Sequence, residues 1–254
     1  MRPRKLLLAL QFYAKDQPDA YALARTILNI ENGAVQDLAD FCFVPRFDTY
    51  HDENMTTAMT RSFDTFVVRG KTEAVGWPAG CNALWADLMA HVYRNEWYRE
   101  YKAVLTFEPD AMPLTRDWIA RLSAAWDRAG AGVVGHIHQT NGAHGSQQHI
   151  NGNALFSTDP GFLEAILEEL RDCPDQHGWD TYLAPLFEGM GWEDAPEIRS
   201  WYSRTGVRVS EYEDLVKSGA VFLHGVKDRS LANIVKTFVV PPDAAVRKSR
   251  ILTG

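Results

Sequence analysis

Cysteine is scarce: Cys42, Cys81 and Cys173 are the only three in 254 residues, odd in number and far apart. That argues against a disulfide framework and for a reducing compartment, so a cytoplasmic location is expected. Long apolar runs are also missing. Nothing approaches the roughly 20 residues that cross a bilayer. Leu6-Leu-Leu-Ala-Leu10, after Met1-Arg-Pro-Arg-Lys5, is too short for a signal-peptide core and reads as a first buried strand. Positive charge is in deficit: 26 Lys and Arg against 33 Asp and Glu give a formal net charge of -7. A global basic footprint for nucleic acid is therefore absent, leaving local pieces such as Arg69-Gly-Lys71 and Arg247-Lys-Ser-Arg250. Internal repeats and low-complexity linkers are lacking too, which favours one domain with two halves.

A hydrophobic content of 46% is ample for a real core. Lys5 to Tyr13 reads as a strand, followed by a helix from about Pro18 that places Leu23, Ile27 and Ile30 on one face and is closed by Gly33. Leu38 to Phe47 is a second strand, and Thr65 to Val68 a short third after a less regular stretch. The turn Gly76-Trp-Pro-Ala-Gly-Cys-Asn82 leads into a helix over 83–93, and Lys102 to Phe107 is an unalternating apolar strand suited to burial on both faces. Beyond it, Thr115 is placed to cap a helix ended by Gly130. Strands are expected over Val133–His138 and His149–Phe156, and a helix from Asp159-Pro160. A short helix begins at Trp179 and is bent or ended by Pro185, and a last strand runs from Gly219 to His224. Ser200 to Val209 is ambiguous, and 241–254 reads as a polar tail. Strand, helix and strand in alternation predict an α/β protein with a largely parallel sheet covered by helices.

Polar residues cluster just past the apolar segments. Glu108 and Asp110 follow the central strand, two apart, with Pro109 stiffening the turn between them. That edge is where open α/β sheets bind ligands, and two hard oxygen donors there suit a divalent cation holding phosphates. Taken alone, the pair reads as a solvated strand-to-helix turn, and only agreement elsewhere in the chain favours a site. Asp180 opens a helix, where the positive dipole end would keep a carboxylate ionised for general-base work. Its bland alternative is a helix cap. His224 ends the last strand in Phe222-Leu-His-Gly225, and Lys227 follows about a turn later. Asn82 could cap a helix or contact a base or sugar. Near His149, the Asn151-Gly152-Asn153 turn offers amides and a glycine that permits close approach.

These points, in this order, resemble the GT-A family of nucleotide-sugar glycosyltransferases, over most of the chain from the first strand to Lys227. One departure is that Glu108 stands where the family's Asp-x-Asp element has its first Asp. The resemblance implies a GT-A-like, Rossmann-like fold with a mostly parallel central sheet flanked by helices. It implies one catalytic domain over 1–254, with a nucleotide-sugar half of about 1–115, an acceptor half of about 116–240 and a tail from 241. It further implies Asp110 and His224 as ligands of Mn²⁺ or Mg²⁺ and Asp180 as the catalytic base. Gln11, Lys71, Asn82, Glu108 and Lys227 would meet the donor; His149, Asn151, Gly152 and Trp179 would meet the acceptor side. The implied reaction moves a hexosyl group, most plausibly from a UDP-sugar, onto a hydroxyl of a saccharide or of a hydroxymethylated pyrimidine in DNA, without a membrane partner. Two other readings remain. His136, His138, His144 and His149 could form a zinc hydrolase site, although no carboxylate lies between Gly135 and Phe156. A non-catalytic nucleotide-sugar-binding module is the other. Oligomeric state is not legible.

Overall fold

The structure is a computed structural model that describes residues 4–31, 33, 35–142, 145–203 and 205–240. It is built outward from β1 (Lys5–Phe12), whose Leu6 to Leu10 are completely buried. Side chains of successive strand residues point to opposite faces. Leu6, Leu8 and Leu10 therefore enter one apolar layer, while Leu7 and Ala9 enter the other. A strand buried on both faces has no room for polar alternation, which explains the continuous leucine run.

Parallel neighbours require a crossover over one sheet face. Helix α1 (Gln17–Glu31) makes the first, burying Leu23, Ile27 and Ile30, and delivers β2 (Ala39–Pro45) parallel to β1. Helix α2 (Glu53–Met59), capped by Asp52 accepting the Asn54 N–H, precedes the edge strand β3 (Thr65–Val67). Helix α3 (Ala79–Arg94) crosses the other face to β4 (Tyr101–Phe107), which flanks β1 on its second side. After β4 come the two-residue β5 (Met112–Pro113), α4 (Trp118–Ala129) and β6 (Val133–Gly135). A hairpin of β7 (Ile137–Gly142) and β8 (Gly145–Ile150) leads to β9 (Leu155–Ser157), antiparallel to both β4 and β6.

The second half continues with α5 (Pro160–Glu169), the single turn α6 (Trp179–Tyr182), α7 (Ala184–Met190), β10 (Trp192–Asp194) and β11 (Ile198–Ser200). Helix α8 (Val209–Lys217), β12 (Phe222–His224) and α9 (Ser230–Phe238) complete the described chain. The main sheet has the order β10-β6-β9-β4-β1-β2-β3, parallel except for β9. A second sheet, β11-β12-β5, stands beside it. Among the described residues no helix is long and apolar enough to cross a membrane.

The alternation of strands and helices and the mostly parallel sheet match the sequence reading, with local differences. The strand expected over Val133–His138 breaks after Gly135, and the one over His149–Phe156 breaks after Ile150. Val133 and Val134 pair with Phe156 and Leu155 inside the core, whereas the polar residues beyond pair with each other in the hairpin outside it. His136 therefore lies between two strands rather than sharing a strand face with His138. Thr115 does not cap α4, which starts after Asp117, and its hydroxyl is buried without a hydrogen-bond partner. Helices α2, α8 and α9 and strands β10 and β11 were not legible: the strands are three residues long and the helices seven to nine, too short for a period to stand out. Gly33 lies just past the end of α1, and the tail at 241–254 lies outside the described residues.

Two glycines separate backbone strain from crowding. Gly130 ends α4 at φ 62° with open space around its Cβ direction. Gly225 sits at φ 97°, and a Cβ there would come 2.6 Å from the Trp201 carbonyl oxygen. Gly130→Ala should cost about 1 kcal/mol in chemical denaturation, and Gly225→Ala roughly 3 kcal/mol, because main-chain atoms must also shift. Equal losses at both positions would contradict the crowding.

Candidate active site

The parallel strands β1, β2 and β4 end on the same edge of the sheet, and a cleft of about 1160 Å³ opens there. Its floor is set by the turn leaving β4. The Glu108 N–H donates to Asn153 Oδ1 at 3.0 Å, and the Ala111 N–H closes the turn on the Glu108 carbonyl at 3.0 Å. Asn153 is itself buried and is held by Asn151 Oδ1, which accepts from both its backbone and side-chain nitrogens at 3.0 and 3.1 Å. The 151–153 turn thus positions Glu108 from behind.

β5 then pairs antiparallel with β12, Met112 opposite Leu223, and the Gly225 N–H donates to the Asp110 carbonyl at 3.2 Å. This register brings His224 to the turn. Its Nε2 lies 3.2 Å from Asp110 Oδ1 and 3.6 Å from Glu108 Oε2, and Lys227 Nζ lies 3.9 Å from Asp110 Oδ2. Burial pulls His224 toward the neutral form, but the two carboxylates outweigh it and push its pKa up to about 9. Burial likewise works to raise Asp110; the His224 contact, aided by Lys227, outweighs it and holds the carboxyl below its ordinary value.

One ligand atom from each of Glu108, Asp110 and His224 fits within 4.8 Å of the others. Apart from its ion-pair contact, Asp110 Oδ1 is a buried acceptor with no hydrogen-bond partner. Buried polar atoms are normally paired. An orphan carboxylate oxygen facing an imidazole and a second carboxylate therefore fits a divalent cation.

Asp180 also lines the cleft. It is the second residue of α6, and Gly178, not Asp180, occupies the cap position. A single turn of helix has little dipole, so the expected dipole stabilisation of the carboxylate is not what governs it. Burial dominates and raises its pKa; His149 and the Thr181 N–H, donated to Asp180 Oδ1 at 2.9 Å, act the other way. Its neighbour Trp179 stacks on Trp85 of α3 with ring centroids 3.8 Å apart. Cys81, also on the cleft, is pushed up to about 11 by burial, then by Glu108 and Asp180, and so remains a thiol.

Of the residues singled out from sequence, Gln11, Asn82, Glu108, Asp110 and Asn151 line this cleft, as do Gly152, Trp179, Asp180, His224 and Lys227. Several do so differently from expectation. Asn82 caps nothing, since Pro78 precedes α3. Its amide oxygen accepts the Trp179 N–H at 2.9 Å and its nitrogen donates to the His177 carbonyl at 2.8 Å, tying the loop before Asp180 to α3. Gly152 makes room for a protein ring: a Cβ there would come 2.9 Å from Trp179. Lys71 is exposed and outside the cleft lining; its backbone N–H donates to Asp87. His149 is buried behind the wall beside Asp180 rather than on the cleft.

Among the described residues, His136, His138 and His149 come together as rings 5.5 to 6.4 Å apart, not as a three-ligand set with a carboxylate. His144 lies outside the described residues. Of the basic pieces, Arg69 is committed to the Thr49 carbonyl, and Arg247 to Arg250 lie outside the described residues.

Six further charged residues line the cleft among the described residues: Asp16, Asp19, Arg46, Asp228, Arg229 and Lys236. Arg46 follows the Pro45 end of β2, a position the sheet-edge rule could have found; Arg229 and Lys236 required knowledge of α9. Arg46 is held by two 2.7 Å bonds to Asp48 and lies 5.4 Å over the Tyr13 ring.

No family model and no curated protein matches the sequence. Solved structures do match in shape. The bifunctional glycosyltransferase WbbM shares 11% identity over 98% of this chain and 53% of its own, with a TM-score of 0.54. GlyE of Streptococcus pneumoniae TIGR4 shares 10% over 99% of this chain and 62% of its own, TM-score 0.50. This chain thus spans only about half to three fifths of those two proteins. The galactosyltransferase LgtC, solved with donor and acceptor sugar analogs, shares 10% over 95% of this chain and 99% of its own, TM-score 0.51. At such identities the likeness concerns architecture: the chain has the GT-A glycosyltransferase fold, a mostly parallel central sheet flanked by helices.

Proposed function

We propose that this protein is a metal-dependent glycosyltransferase that moves a sugar from a nucleotide sugar, with a UDP-sugar as the leading donor, to a hydroxyl of a saccharide. The observation that carries this reading is the meeting of Glu108, Asp110 and His224 within 4.8 Å at the edge of the sheet, on a cleft that Asp180 also lines. Glu108, Asp110 and His224 would hold the cation. When bound, it offsets the negative charge that develops on a diphosphate leaving group. Lys227, Arg229 and Lys236 supply fixed positive charge on the same wall. Gln11 at the end of β1 presents an amide nitrogen that is buried without a hydrogen-bond partner, suited to an acceptor atom on the nucleotide.

Asp180 takes the proton of the acceptor hydroxyl, and a base on the wall facing the leaving group favours inversion at the anomeric carbon. Burial that raises its pKa makes its ionised form the stronger base. Transfer should therefore fall as pH drops through a pKa above the ordinary carboxylate value. Cys81, held as a thiol beside it, does not compete for this role.

A panel of nucleotide sugars with Mn²⁺, scored by nucleoside diphosphate release on adding methyl glycosides, tests the reaction. Release should stop in excess EDTA and return with Mn²⁺ or Mg²⁺; full activity in EDTA would remove the metal assignment. A hydroxymethylated oligonucleotide belongs in the same panel, and transfer to it alone would replace the saccharide acceptor.

Asp180→Asn keeps an oxygen for the Thr181 N–H and removes the base. Transfer should slow by about 10²–10⁴-fold with donor affinity nearly unchanged. An acid whose folded pKa is raised loses stability as pH rises past its unfolded value, so the Asn variant should be no less stable than wild type at neutral pH. Asp110→Asn should weaken metal-dependent donor binding as well as turnover. A folded Asp180→Asn enzyme with normal transfer would exclude Asp180 as the base.

A further inference from the structure

Next to the cleft, though not among the residues that line it, lies an aromatic group that the proposed transfer does not use. Tyr202 stacks on His138 with ring centroids 4.1 Å apart and planes 24° from parallel. His149 meets the same His138 edge-on at 5.5 Å, and His136 lies 5.9 Å from Tyr202. Tyr202 is 52% exposed, so one side of this stack faces outward.

Its place is fixed from two sides. Ser200 pairs with His224 in the small sheet, and the Trp201 N–H donates to the His224 carbonyl at 2.7 Å, so Tyr202 follows directly on the strand pair that positions the cation ligand. His138 pairs with His149 in the hairpin that runs straight into the Asn151–Asn153 turn behind Glu108. The Tyr202 hydroxyl is raised by burial, with the charge of Asp180 among the further causes, and the charge of His149 acts on Asp180 in turn. Both rings are therefore within electrostatic range of the proposed base.

The group is a half-exposed ring surface. Burial holds His136 and His138 toward their uncharged forms. The nearby Arg199 is engaged by Asp194 at 3.0 Å. His149 is nine-tenths buried and its Nδ1 has no hydrogen-bond partner, as is true of His136 Nδ1. A flat aromatic face bordered by ring nitrogens without hydrogen-bond partners suits a ligand with an apolar face and hydroxyls around its rim. A nucleic-acid strand would bring phosphates and call for free cations beside the stack; Arg199 is already paired with Asp194.

We propose that the Tyr202–His138 stack is the acceptor platform, on which a pyranose ring of a saccharide lies face down while its hydroxyl reaches Asp180. This rests on the reading of Asp180 as the residue that faces the acceptor, and it makes Tyr202 a determinant of acceptor specificity.

The test uses the full chain with Mn²⁺, the donor found active in the nucleotide-sugar panel, and methyl glycosides of galactose, glucose and N-acetylglucosamine. Tyr202→Ala should raise the acceptor KM by about tenfold or more, with affinity for UDP and Mn²⁺ within about twofold of wild type. Tyr202→Phe keeps the ring and should stay within about threefold of wild type in acceptor KM. Tyr50→Ala removes an exposed ring outside the cleft and should change neither quantity. An unchanged acceptor KM in Tyr202→Ala, alongside transfer by wild type, would overturn the platform and leave the donor reading standing. Equal losses in Tyr202→Ala and Tyr202→Phe would overturn stacking as its basis. Transfer by wild type only to a hydroxymethylated oligonucleotide would overturn the saccharide. Absence of UDP binding and of diphosphate release in wild type would remove the donor reading, and the platform with it.

Discussion

The candidate site depends on one short piece of antiparallel pairing. Without β5 against β12, Asp110 and His224 are ends of segments separated by more than a hundred residues. With it, the Gly225 N–H reaches the Asp110 carbonyl, and the imidazole is set 3.2 Å from the carboxylate. Gly225 is needed because its left-handed φ turns the chain under the Trp201 carbonyl, where a Cβ would collide. The same turn then sends Lys227 back toward Asp110.

That pairing assembles charges that would not gather by themselves. Two carboxylates with oxygens within 4.8 Å repel by roughly 3 kcal/mol at an effective dielectric near 20. Counter-charge must therefore be part of the arrangement. In the protein alone it comes from the proton on His224, whose raised pKa is the measure of that demand. A bound divalent cation would answer the same demand more completely, with the imidazole then a ligand instead of a cation. The turn can hold such a cluster because its backbone is pinned from behind by Asn153, which Asn151 pins in turn.

The surroundings of Asp180 are built on packing rather than charge. Trp85 and Asn82, one turn apart on α3, grip Trp179 by ring stacking and by an amide that accepts its N–H. Gly152 supplies the space that lets the Trp179 ring reach this position. Asp180, next in sequence, is thereby fixed on a buried face whose low polarity sets its basicity. One side of the cleft thus gathers charge around Asp110 and His224, and the other sets a buried carboxylate among packed rings.

Much of this was legible in the residues. The leucine run of β1, the unalternating β4 and the helix–strand order specified a parallel α/β sheet, because burial on both faces leaves no polar alternation. The acids after β4 and the His-Gly after β12 stood where such a sheet exposes ligand groups. What sequence reasoning misjudged were roles that depend on neighbours distant in sequence. Asn82 looked like a cap, yet its partners lie near residue 178. Gly152 looked like room for a ligand, yet the room belongs to Trp179. Lys71 looked like a donor contact, yet its loop is tied to α3 and faces solvent. The breaks at His136 and Asn151 depend on pairing register, and α8 and α9 have apolar faces only nine residues long, too brief for periodicity to mark them. By itself, the sequence determined the layers of the fold and the residue types at the sheet edge, because burial and periodicity are local properties. Only the tertiary structure decided which of those residues meet, because pairing register and ring packing join segments a hundred residues apart.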